Sequence, residues 1–176
     1  MFKTFFPDAY IDSIYHVDFL ELWNQGVRGL IFDVDNTLVM HGAPATKEAK
    51  ELLALLKNIG FQLVLVSNNK EPRVKMFFDE VAATAYIYKA GKPRRKNYLH
   101  AMDIMKTNTE NTLFIGDQLF TDVWGARRAK IFGILVKPIH PKEEIQIVFK
   151  RKLERIVLYF YKKQTKKTKS KFQIIT

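Results

Sequence analysis

Four stretches of the chain combine an apolar run with residues able to do chemistry. In Leu30-Ile31-Phe32-Asp33-Val34-Asp35-Asn36-Thr37-Leu38, an apolar segment ends in two carboxylates one residue apart. Side chains i and i+2 of an extended chain project to the same side, so Asp33 and Asp35 can face one pocket. In Leu63-Val64-Leu65-Val66-Ser67-Asn68-Asn69 the first polar residue is a hydroxyl at the end of a buried strand. Ser67, with Asn68 and the amides of the turn after it, can donate to phosphate oxygens. Lys92, before Pro93, offers a compact positive charge suited to a phosphoryl group and to screening crowded carboxylates. The fourth stretch, Leu113-Phe114-Ile115-Gly116-Asp117-Gln118-Leu119-Phe120-Thr121-Asp122, again runs from an apolar strand into acids. Mg²⁺ takes oxygen ligands and keeps several waters, so one or two carboxylates plus a substrate phosphate make a site for it. Asp117, at the strand end, is the expected ligand. Asp122, in the turn into the next helix, is expected to support it from behind.

These residues need a scaffold that brings four chain segments to one edge. Strand-length apolar runs at 29–33, 61–67, 85–88, 113–116 and 133–136 alternate with stretches of helical period. This is the pattern of an α/β domain with a central parallel sheet of five strands covered by helices on both faces. Helices are expected at 46–58, stopped by Gly60; after Ser67, with Pro72 in the first turn; and at 94–105 and 120–130. In open parallel sheets the carboxyl ends of the strands form the ligand-binding edge, and all four motifs fall there. Between Thr37 and Ser67 there is room for one connection, one helix and one strand, and the interval from Ser67 to Lys92 is equally short. No large cap domain fits, so the site should be open to bulky substrates or covered by oligomerisation.

A chain of 176 residues with 47% hydrophobic content suits one globular domain with tails. The absence of cysteine excludes disulfides and cysteine-ligated metal. His16, His41, His100 and His140 lack metal-ligand spacing and receive no role. No apolar run reaches spanning length, and Pro7 and Asp8 interrupt any signal-peptide core, so a cytoplasmic protein is expected. Of the net charge of +11, the stretch from Lys150 to Lys171 carries +9, with ten Lys/Arg and one acid, Glu154. Such a segment usually meets an anionic polymer or lipid surface. The chain accordingly divides into a domain at 1–141, an amphipathic basic helix at 142–163 and a Lys-rich tail at 164–176. Ile145, Phe149, Leu153, Ile156 and Phe160 recur at helical spacing among cations, so this helix can pack on the domain or lie on an anionic bilayer at the inner face of the membrane.

The four motifs together resemble the haloacid dehalogenase superfamily: Asp-x-Asp-x-Thr at Asp33 to Thr37, a strand-end serine at Ser67, a lysine at Lys92, and Gly-Asp-x-x-x-x-Asp at Gly116 to Asp122. A closer resemblance is to the YqeG-type phosphatases of subclass IIIA, related to phosphatidylglycerophosphate phosphatases. It is carried by Phe6-Pro7-Asp8, by Ser13-Ile14, by Asn36 where many other relatives have glycine, and by Gly116 to Val123. The resemblance implies a Rossmann-like fold and a Mg²⁺-dependent phosphatase. Asp33 would attack phosphorus, and Asp35 would protonate the leaving group and then activate water against the aspartyl-phosphate. Asp33, the Asp35 carbonyl and Asp117 would hold the metal, with Thr37 and Asp122 behind them; Ser67, Asn68 and Lys92 would bind the phosphoryl group. The substrate expected first is phosphatidylglycerophosphate, a lipid headgroup that a basic segment would help to reach. Soluble phosphomonoesters or phosphoproteins are the alternative. An RNA- or ribosome-associated factor without activity is a third reading, weakened by the lack of an RNA-binding signature, so nucleic acid is not an expected partner.

Overall fold

The structure is a computed structural model and describes residues 2–140, 145–165 and 171–174. Six parallel strands form one sheet: β1 (Ala9–Ile11), β2 (Gly29–Phe32), β3 (Gln62–Val66), β4 (Ala85–Ile87), β5 (Thr112–Gly116) and β6 (Phe132–Val136). Their order is β1-β6-β5-β2-β3-β4, with β2 and β5 side by side at the centre. Every residue of β2, β5 and β6 is buried, which explains their mainly aliphatic and aromatic content.

Alternation along the strands divides the core into two faces. Leu30 and Phe32 of β2, with Leu63, Leu65, Leu113 and Ile115, pack under α1 (Phe19–Asn24) and α2 (Lys47–Ile59), and Phe77 of α3 (Glu71–Phe78) joins them. Ile31, Val64, Val66 and Phe114 face the other way, onto Tyr98, Ala101, Met102 and Met105 of α4 (Lys96–Met105) and Ala126 of α5 (Trp124–Arg128). The α2 helix begins where Thr46 accepts the Ala49 N–H at 3.2 Å and ends at Gly60, whose φ of 120° few other residues would adopt.

The sheet has one strand more than the apolar runs suggest. β1 is three residues long and pairs only with β6, too short for periodicity to reveal; the Asp8 carboxylate secures it by accepting the Gly133 N–H at 2.8 Å. The helix expected at 120–130 is two pieces, a π-helical turn over Leu119–Val123 and then α5. The carboxyl-terminal helix, α6 (Ile145–Thr165), lies on the domain, burying Val157 and Tyr161 against Phe6, Leu119, Val123 and Leu135. The domain also takes in part of the Lys-rich tail: Phe172 and Ile174 are buried in the first core face, and Phe172 meets Phe132 edge-on at 5.1 Å. Residues 142–144 of the expected helix and 166–170 and 175–176 of the expected tail lie outside the described residues. No described helix is long and apolar enough to cross a membrane.

Candidate active site

The central strands deliver Asp33 and Asp117 side by side. The Asp33 N–H donates to the Ile115 carbonyl at 2.9 Å, extending the β2–β5 ladder by one residue before the chain turns. The turn is tight. Asn36 has φ 61°, in the left-handed region that asparagine tolerates and glycine prefers. Its N–H donates to the Val39 carbonyl at 2.7 Å, while the Leu38 N–H donates to Val34 at 3.0 Å. Asp33, Asp35, Asn36 and Thr37 are all buried as a result.

Lys92 enters from the loop after β4 and is itself buried. Its ammonium lies 2.7 Å from Asp33 Oδ1 and 2.8 Å from Asp122 Oδ1, bridging the two carboxylates. Asn68 holds the backbone of that loop: its Oδ1 accepts the Lys92 N–H at 2.8 Å and its Nδ2 donates to the Lys92 carbonyl at 3.2 Å. The peptide bond between Lys92 and Pro93 is cis. Asp122 is placed by the π-helical turn, and its Oδ2 accepts the Gln118 N–H at 3.0 Å. Gly116 makes room for it, since a Cβ there would stand 2.5 Å from Asp122 Oδ2.

Asp35 points to other partners. Its carboxylate accepts the Gly42 N–H and Asn69 Nδ2, each at 2.7 Å, and Arg73 from Nε at 3.2 Å and Nη2 at 2.8 Å. His41 Nδ1 stands 3.9 Å away. Ser67 is buried, with its Oγ accepting the Asn69 N–H at 3.2 Å. The Thr37 hydroxyl donates to Asp117 Oδ1 at 3.5 Å. Asp117 also forms a short ion pair through Oδ2 with Arg151 of α6.

Crowding and burial set the electrostatics. Burial pushes the Asp33 carboxyl up to about 7, with the Asp122 and Asp35 charges adding to the rise and Lys92 opposing it. Asp117 is likewise held well above the usual carboxylate range by burial and by its acidic neighbours, against the pull of Arg151. Burial works against the Lys92 ammonium, yet Asp122 and Asp33 outweigh it and hold its pKa above the ordinary lysine value. One carboxylate oxygen from each of Asp33, Asp117 and Asp122 lies within 4.8 Å of the others. Three buried oxygen donors, with surplus negative charge that Lys92 only partly offsets, suit a hard divalent cation. Asp122 presents Oδ1 to the Lys92 ammonium, while its Oδ2 accepts the Gln118 N–H.

A cavity of about 200 Å³ opens over the cluster, lined by Asp33, Asp35, Ser67, Asn68 and Lys92 together with His41, Asn69, Gln118, Thr121 and Lys150. Asp33, Asp35, Ser67, Asn68, Lys92, Asp117 and Asp122 therefore all gather at the carboxyl edge of the sheet. Asn68 lines the cavity and has its side-chain amide turned to the Lys92 backbone, holding that loop. Asn69, Arg73, His41, Lys150 and Arg151 are additions that motif spacing did not reveal. The available signals were the polar run after Ser67 and, for Arg151, the lone acid Glu154 three residues on in a segment of cations. A second cavity, about 310 Å³, lies beneath α6 between Tyr10, Leu135, Leu158 and the Arg151–Glu154 pair; it is the larger, but Asp33 and Asp35, just after β2, face the smaller.

Known proteins resemble this chain in sequence and in fold. The family described as haloacid dehalogenase-like hydrolase matches residues 41–130. The "Probable phosphatase YqeG" of Bacillus subtilis (strain 168) is 39% identical over 163 residues, 92% of this chain and 94% of that protein. Among solved structures, NagD from E. coli K-12 superposes with a TM-score of 0.54 at 14% identity, covering 69% of this chain and 91% of its own. An uncharacterized protein from Listeria monocytogenes serotype 4b does so with a TM-score of 0.52 at 16% identity, covering 68% of this chain and 85% of its own. The solved structures bear on the fold alone. With a relative of that identity aligned over nearly its whole length, and the α/β architecture in place, this chain belongs to the haloacid dehalogenase-like hydrolase family.

Proposed function

We propose that this hydrolase is a Mg²⁺-dependent phosphatase that works through an aspartyl-phosphate on Asp33. The observation that carries the reading is the buried constellation at the sheet edge, in which Lys92 bridges Asp33 and Asp122 beside Asp117. Asp33 would attack phosphorus; the bond from phosphorus to the leaving oxygen breaks, and Asp35 supplies that oxygen with a proton. Asp35 would then take a proton from water as it attacks the same phosphorus, freeing Asp33 and inorganic phosphate. Hydrogen bonds from Arg73, Asn69 and the Gly42 N–H hold the Asp35 side chain in place for both steps. Ser67 and Lys92 would hold the phosphoryl oxygens. Asp33, the Asp35 carbonyl and Asp117 would hold the Mg²⁺, with Thr37 and Asp122 behind them; when bound, the ion offsets charge on the phosphoryl group.

The substrate we propose is a phosphomonoester on a lipid headgroup, phosphatidylglycerophosphate first. Two features support a lipid surface. The cavity is roofed by no inserted domain among the described residues. The α6 helix also carries a second apolar stripe, Leu153, Ile156 and Phe160, left exposed on its outer side with Tyr159 nearby and Lys152, Arg155, Lys162 and Lys163 around it. Exposed apolar residues bordered by cations suit the interface of an anionic bilayer. The test is phosphate release from phosphatidylglycerophosphate in anionic vesicles and from a small soluble phosphomonoester, each with and without Mg²⁺. Replacing Leu153 and Ile156 together by serine should slow the vesicle reaction and leave the soluble one unchanged. Efficient soluble turnover by a wild-type chain that ignores vesicles would favour the soluble-substrate reading. RNA binding without hydrolysis of either ester would remove the phosphatase assignment.

A further inference from the structure

Helix α6 reaches the acid cluster with charge as well as with its apolar face. The Arg151 guanidinium donates from Nη1 to the Asp117 carbonyl at 2.5 Å and to Glu154 Oε2 at 2.8 Å, while Nη2 pairs with Asp117 Oδ2. The other oxygen of Glu154 accepts the Leu119 N–H at 2.7 Å. The pair thus grips the 117–119 turn at both ends, by the carbonyl and carboxylate of one residue and the amide of the other. It does so out of solvent, with side-chain exposures of 15% for Arg151, 6% for Glu154 and 0% for Asp117.

Helix docking alone does not call for this arrangement. Val157 and Tyr161 already seat α6 on Phe6, Leu119 and Leu135, and a buried ion pair seldom stabilises a fold more than apolar residues of similar size. What an arginine fork adds is direction, because its planar donors set the orientation of a carboxylate. Arg151 takes one oxygen of Asp117 and leaves the other beside the Thr37 hydroxyl.

We infer that Arg151, backed by Glu154, is a positioning residue that orients Asp117 toward a divalent cation, so that the carboxyl-terminal helix is part of the metal site. The inference rests on the reading of Asp117 as a metal ligand. Partners behind a ligand commonly change metal affinity by about 10- to 100-fold when removed.

The experiment is titration calorimetry of the metal-free full chain with MgCl₂, without substrate, for wild type, Arg151→Met, Arg151→Lys and Val157→Ala, alongside melting curves. Arg151→Met is expected to weaken Mg²⁺ binding by about 10-fold or more. Arg151→Lys keeps the charge but not the fork and is expected to fall between it and wild type; it carries the test if Arg151→Met does not fold. Val157→Ala, which loosens the apolar seat and leaves the fork, is expected to melt earlier and bind Mg²⁺ as wild type does. Unchanged or tighter binding by the Arg151 variants overturns the inference, as does an equal loss in Val157→Ala. A wild-type chain that binds no Mg²⁺ removes the metal reading and this inference with it, an outcome distinct from wild-type binding that ignores Arg151.

Discussion

Replacing Asp33 by asparagine should abolish turnover and at the same time stabilise the metal-free protein at neutral to alkaline pH. The substitution keeps the shape of the side chain and removes the charge that burial penalises. Asp33 titrates near 7 in the folded chain against 3.8 for the ordinary carboxyl. The folded state therefore holds this proton more tightly, and the group's contribution to stability is complete below about pH 3.8 and lost as pH rises through about 7. The gap of roughly three pH units, at about 1.36 kcal/mol each, amounts to about 4 kcal/mol across the whole range. Integration of the same curve puts roughly 2–3 kcal/mol of it between pH 5 and pH 8. Because Lys92 loses one of its two carboxylate partners in the variant, this is an upper figure. For a domain of this size it corresponds to a melting-temperature difference on the order of 5–10 °C that opens as pH rises. Melting curves of both proteins in chelator at pH 5 and pH 8 measure it, with phosphate release in Mg²⁺ as the activity arm. Parallel pH dependence in the two proteins would refute the claim that burial raises the Asp33 carboxyl. Wild-type turnover by folded Asp33→Asn protein would refute its role as nucleophile.

Asp35→Asn should lower the rate by about 10² to 10⁴ through lost proton transfer, measured as kcat on a soluble phosphomonoester. Chelation should silence the enzyme and Mg²⁺ restore it, and Asp117→Ala should shift the Mg²⁺ dependence of phosphate release to much higher concentration; full activity in excess chelator would contradict the site. Gly116→Ala places a Cβ 2.5 Å from Asp122 Oδ2 and should displace that carboxylate from Lys92, costing about 1–3 kcal/mol of stability along with most of the activity. Wild-type melting and turnover in that variant would show that the turn yields without disturbing the acids.

The parts of this protein written locally in the chain are its strands, their order of chemistry and the acids at their ends. A buried parallel strand must be apolar on both sides, so β2, β3, β5 and β6 appear as largely aliphatic and aromatic runs, and the polar residues that follow them mark the edge where ligands bind. Asp33, Asp35, Ser67 and Asp117 could be picked out for that reason. Asn36 enters the sequence reading only through the family resemblance, and the structure places it in the left-handed region at φ 61°. The tertiary structure decided what depends on meeting across distance. Lys92 becomes a bridge only because the loop after β4 carries it to both Asp33 and Asp122, and the Asn68 side chain braces that loop. Arg73 and Asn69 reach Asp35 from the segment after β3, with no spacing rule linking them to it. Periodicity along α6 picked out Leu153, Ile156 and Phe160, which stay exposed, while Val157 and Tyr161 on another side of the helix are the ones buried. Packing on Phe6, Leu119 and Leu135 settled which side is buried, and with it carried Arg151 to Asp117, because a charge pattern along one helix does not encode which distant carboxylate it will meet.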